Sequence, residues 1–145
     1  MLTTLLGLLL YRVLYRRKSL FTDRYGMIIT MCCSGVLSLS ISLNLLFLLS
    51  FPLEVTTLVN LLIGGIIGVG FGSLVKFQSV LAGYTHGVIG ALMGTMLGAV
   101  IQNPTLCSLP ASYLTSVQEN MIFLSLFVGT LVCMTIGLIV FSLRV

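Results

Sequence analysis

The sequence predicts an all-α, polytopic transmembrane helical bundle. Three observations predict it. Of 145 residues, 58% are hydrophobic and only 7% charged, whereas a soluble domain carries about 25% charged residues to cover its surface. The apolar residues gather in long runs without charge, and runs of about 18 or more read as membrane spans. Within those runs, small residues recur every four positions. The expectation is one membrane domain, residues 1–145, with four firm spans and a short fifth at the N-terminus.

The first segment, residues 1–15, ends in Tyr11, Arg12 and Tyr15. At about 1.5 Å per residue it reaches only some 22 Å. It either spans with Arg12 reaching the interface or lies on the membrane, and a span is the preferred reading. Its basic residues follow the apolar stretch rather than precede it, opposite to a cleaved signal, so it is expected to be retained. A basic loop, residues 16–25, leads into the second segment, 26–51, which stops at Pro52. The third runs over 56–75 and the fourth over 79–101. The link around Lys76 is so short that these two form an antiparallel hairpin. The stretch 102–120 is polar and broken by Pro104 and Pro110. Ser116 and Glu119 have the spacing of a capping box before the last segment, 121–143.

Topology follows from the basic residues, which stay on the cytoplasmic side. With the first loop inside, Arg12, Arg16, Arg17, Lys18, Arg24, Lys76 and Arg144 all fall inside, and Glu54 and Glu119 fall outside. The reading is a multi-pass protein of a cell (plasma) membrane with a cytoplasmic C-terminus. The net charge of +4 is then a topology signal, and nucleic acid is not expected as a partner.

Lipid is as apolar as leucine, so membrane helices associate by close backbone approach through small residues. The second segment carries Ser34, Ser38 and Ser42. The third carries Gly64, Gly68 and Gly72, and the fourth Gly83, Gly87, Gly90, Gly94 and Gly98. The last carries Ser125, Gly129, Cys133 and Gly137. Four such stripes predict a tight bundle of the glycine-zipper kind. Gly65 and Gly70 lie off the main stripe of their helix, which leaves a second side for a homo-oligomer or another membrane-protein subunit.

Groups able to do chemistry are few. His86 is the one histidine, and an ionisable residue inside a span is a functional candidate. It shares a helix face with Met93. Together with Met31 and Cys33 it makes the candidate metal set His86, Met93, Met31 and Cys33, because thioether, thiolate and imidazole suit a soft ion such as copper. The competing reading is packing: methionine fills irregular apolar gaps, and adjacent Cys32 and Cys33 point about 100° apart. Asn44 and Asn60 are read as interhelical hydrogen-bonding residues. Cys107 alone among the cysteines falls in a loop, and a free thiol is expected there. No span contains Asp or Glu, which disfavours proton- or sodium-driven transport. With no HExxH, no CxxC and no Ser/His/Asp set, no catalytic residue is assigned and an enzyme is not expected.

The run from His86 to Ala99, HGVIGALMGTMLGA, resembles the Gly/Met-rich helix of small, uncharacterised bacterial membrane proteins with runs such as GGMMGAML. The resemblance covers about one helix and implies a bacterial cytoplasmic membrane and no activity. The Cys32-Cys33 pair is similar to that of mercuric-ion transporters, but the context differs and other elements of that family are missing, so its function is not carried over. Two functions follow as expectations. One is a non-catalytic accessory or assembly subunit of a larger membrane complex. The other is a transport or channel component for a soft metal ion.

Overall fold

The computed structural model describes residues 2–17, 23–48, 52–75, 77–103 and 117–142. They form five helices and no strand: α1 (Leu2–Arg17), α2 (Asp23–Leu48), α3 (Leu53–Gly72), α4 (Phe77–Gln102) and α5 (Val117–Ser142). Helices α2 to α5 are each long and apolar enough to cross a membrane. Their side chains are largely apolar, as lipid and helix–helix contact require, and the helical form satisfies every backbone polar group within the segment.

Helix ends lie a few residues from the expected ones. Helix α3 starts at Leu53 rather than Thr56, because Pro52, at φ −57°, leads directly into helical geometry and its carbonyl accepts Thr56 N–H at 3.2 Å. It ends at Gly72 rather than Val75, since Ser73–Val75 turn toward α4 through Val75 N–H to Gly72 O at 3.2 Å. Helix α5 begins four residues earlier than the apolar run, with Glu119 in its first turn, where a carboxylate favours the positive end of the helix dipole. Ser116, Cys107, Lys76, Arg144 and the end of the second segment at 49–51 lie outside the described residues.

Helix α2 is the centre of the bundle. On one side it meets α4 and α3, on the other α1 and α5. Leu10 and Leu14 of α1, Ile29, Cys33 and Leu37 of α2, Phe71 of α3 with Leu74 just after it, and Val132 and Ile139 of α5 form one buried apolar cluster. Helix α1 lies lengthwise on α2, with Gly7 against Leu37. Tyr11 meets Phe71 edge-on at 5.6 Å. These contacts bring the ends bearing Arg12, Arg16 and Arg24 to one side of the bundle. The ends bearing Glu54 and Glu119 lie at the other.

Candidate functional site

The small-residue stripes have different fates. Helices α3 and α4 run antiparallel with backbone against backbone. A Cβ at Gly64 would fall 2.6 Å from the Gly87 carbonyl oxygen and from the Ala91 Cβ. One at Gly72 would fall 2.7 Å from the Ser79 carbonyl oxygen. Gly68 and Gly83 face each other just as closely, so no side chain fits at any of these positions.

The stripe of α4 is divided along its length. Gly83 and Gly87 meet α3, while Gly90, Gly94 and Gly98 meet Gly35, Ser38, Leu39, Ser42 and Leu46 of α2. Where the halves join, the Ser38 hydroxyl donates to the Gly87 carbonyl at 2.5 Å. The same seam is tied below by the Thr30 and Ser79 hydroxyls, 2.7 Å apart, and above by Gln102 Nε2 donating to the Leu46 carbonyl at 3.3 Å. Asn60 of α3 is 1% exposed and donates from Nδ2 to the Ser42 carbonyl at 3.2 Å. Its Oδ1 and the buried hydroxyls of Ser40 and Ser42 find no partner among the described residues. Ser34 is buried and donates to the Met31 carbonyl.

Helix α5 is held differently. It docks on the bundle through Val128, Val132 and Ile139. Those β-branched side chains occupy a face rotated away from its small residues. A Cβ at Gly129 or Gly137 would meet nothing within 4 Å. Ser125, Gly129, Cys133 and Gly137 instead line an open groove of about 810 Å³, whose other wall is Leu6 of α1 and Asn44 of α2. Asn44 Nδ2 donates to its own helix at the Ser40 carbonyl, 2.7 Å away. Only 17% of the α5 span is buried inside the bundle, against 44% for α2.

Of the candidate metal residues, Cys33 stands apart from His86 and Met93. His86 and Met93 lie on the open face of α4, Met93 being 56% exposed. His86 stands beside Gly35 of α2, whose Cβ would come within 4.0 Å of the His86 Cβ. Met31 is half-buried on α2. Cys33, 2% exposed, belongs to the apolar cluster with α1, α3 and α5. It is two residues from Gly35 and five from Ser38, about 200° and 140° around the helix, so it points away from α4. Cys32, three residues before Gly35, has an exposed thiol. Periodicity places Cys32 and Cys33 about 100° apart but does not say which of the two looks toward α4. Among the described residues, no three His, Cys, Asp or Glu side chains come together.

Compared with known proteins, the chain matches no family model, no curated protein and no solved structure.

Proposed function

We propose that this chain is a non-catalytic accessory or assembly subunit of a larger membrane complex, and that the small-residue face of α5 is where a helix of that complex seats. The observation that carries this reading is the open groove along Ser125, Gly129, Cys133 and Gly137. The glycine stripes of α3 and α4 are covered by a neighbouring helix, whereas a Cβ at Gly129 or Gly137 would meet nothing within 4 Å. Apolar side chains alone give membrane helices little reason to associate, while a smooth small-residue face permits close packing. Partial burial of α5 fits a helix whose packing is completed by a neighbour. On this reading the basic helix ends face the cytoplasmic side of a plasma membrane, the side on which the positive-inside rule retains Lys and Arg.

The test is purification from gently solubilised native membranes, with stoichiometry read by native mass spectrometry. The expected result is a fixed ratio to a second membrane protein. Gly129→Leu and Gly137→Leu should abolish that ratio while leaving the monomer folded. If wild type is recovered alone, or if both variants retain the partner, the reading fails.

A second reading is a transport component for a soft metal ion such as copper, with the homo-oligomer as its working form. One observation favours it: His86 and Met93 share an open face of α4. Further ligands would have to come from a second copy of the chain or from Cys32, since Cys33 points elsewhere. Metal binding that survives both His86→Ala and Met93→Ala would dispose of it.

A further inference from the structure

Helix α1 turns two arginines out of the bundle. Its buried residues are Leu10 and Leu14. At about 100° per residue, Arg12 lies about 160° around the helix from each of them, and Arg16 about 160° from Leu14. Both arginines are exposed. They stand one turn apart, about 6 Å along the axis. Leu5, Leu8 and Leu9 precede Arg12 by seven, four and three residues, so they share its face, and all three are exposed. That face is an apolar strip ending in two guanidinium groups.

Depth decides what such a face meets. Gly7 packs on Leu37, near the middle of α2 (Asp23–Leu48). With α2 centred in the membrane, Arg12 starts about 8 Å and Arg16 about 14 Å from mid-depth, within a hydrocarbon half-layer about 15 Å thick. An arginine there lays its stem along the apolar surface and carries its charge to the interface. Tyr11 and Tyr15, on the adjoining ridge, stack with ring centres 6.4 Å apart, and tyrosine is a residue that membranes hold at headgroup level. Leu8 also walls an apolar furrow of about 260 Å³ between α1 and α3, with Ile67 and Gly70 across from it.

We propose that the outward face of α1 binds an anionic glycerophospholipid, its phosphate on Arg12 and Arg16 and its acyl chains along Leu5, Leu8 and Leu9. The forked guanidinium pairs bidentately with phosphate, and a lipid offers phosphate and hydrocarbon in the same vertical order as this strip. The acids whose side chains are described, Glu54 and Glu119, start the helices at the other end of the bundle. Residues 1–50 hold five Lys and Arg against one acid, Asp23, so a second copy inserted the same way brings the same positive excess. A zwitterionic headgroup carries its own cation, and an anionic one does not. The proposal is independent of the subunit reading and of the α5 groove.

The experiment offers the full-length chain, in a neutral detergent, equal amounts of phosphatidylglycerol and phosphatidylcholine with the same acyl chains. Retained lipid is read by native mass spectrometry. Phosphatidylglycerol should be retained at least tenfold more, and that retention should fall at least tenfold in the double variant Arg12→Gln, Arg16→Gln. Arg16→Gln alone, in the last turn of α1, should lower it at least threefold, which keeps a test should the double variant fold poorly. Arg24→Gln is the control. Arg24 is exposed and lies about 180° around α2 from Cys33, which packs with Leu10 and Leu14. Its loss removes the same charge away from α1 and should leave the lipid bound. The proposal is overturned by equal retention of the two lipids, by retention indifferent to the Arg12 and Arg16 variants, or by an equal loss in Arg24→Gln, which would reduce the effect to net charge. Displacement by glycerophosphoglycerol at the lipid's concentration also overturns it, since the headgroup without its chains would then suffice. So does an acidic polypeptide that co-purifies in place of lipid and is lost with the same double variant.

Discussion

Helices α4 and α5 have equal lengths of 26 residues and both carry small residues at four-residue spacing. One stripe is filled and the other is open. On α4, every glycine of the stripe lies against backbone or side chain of α2 or α3. On α5, the glycines face a groove and the contact with the bundle is made by Val128, Val132 and Ile139. A small-residue stripe thus specifies that something can approach closely, not what approaches. The chain's connections decide the rest. The short turn after Gly72 holds α3 beside α4 before any choice of partner arises. Helix α5 is joined through the long stretch 103–116 and settles on α2 by ordinary side-chain packing.

The contrast can be broken most forcefully at the filled stripe. Gly68→Leu or Gly90→Leu would push a side chain into a neighbouring backbone. Overpacking of this kind typically costs about 1–3 kcal/mol, and more when the obstacle is main chain. The expected outcome is loss of the folded monomer in a detergent unfolding titration, whereas Gly129→Leu leaves the midpoint where it is. Equal destabilisation at Gly90 and Gly129 would erase the distinction. A smaller effect is expected from Ser38→Ala, which removes the hydroxyl linking α2 to the Gly87 carbonyl. Interhelical hydrogen bonds in membranes contribute about 0.6–2 kcal/mol, so the same titration should shift modestly and the fold should survive. The smallest perturbation is chemical. A membrane-permeant maleimide should modify the exposed Cys32 and Cys133 and spare Cys33, sealed among Leu10, Leu14 and Phe71. Labelling of Cys33 at a comparable rate would mean that α1 does not cover α2 as described.

Most of the fold is legible in the residues because a bilayer leaves few options. Charge-free runs between Pro52, the basic clusters and the polar stretch after Gln102 mark four spans, and the short link around Lys76 dictates a hairpin. Less legible is which face of each helix is used. A lipid-facing surface and an interior surface are both apolar, so composition does not separate them. Two of the candidate metal residues, His86 and Met93, share a face as their seven-residue spacing requires. Cys33 diverges from them because its direction depends on where α4 sits around α2, which periodicity on α2 alone does not contain. The division of the α4 stripe between two partners was equally invisible. Five glycines in register look the same whether one helix or two lie against them.

The turn at Ser73–Val75 has a kinetic consequence. Closing so short a loop costs far less chain entropy than closing the stretch before α5, and local contacts form faster than distant ones. Helices α3 and α4 meet through glycines as near in sequence as Gly72 and Gly83, with no other part of the chain required. That pair can therefore lock as a hairpin while the rest of the chain is still searching. Helix α2 then finds half of its binding surface already built along Gly90, Gly94 and Gly98, while α5 has the longer loop to close.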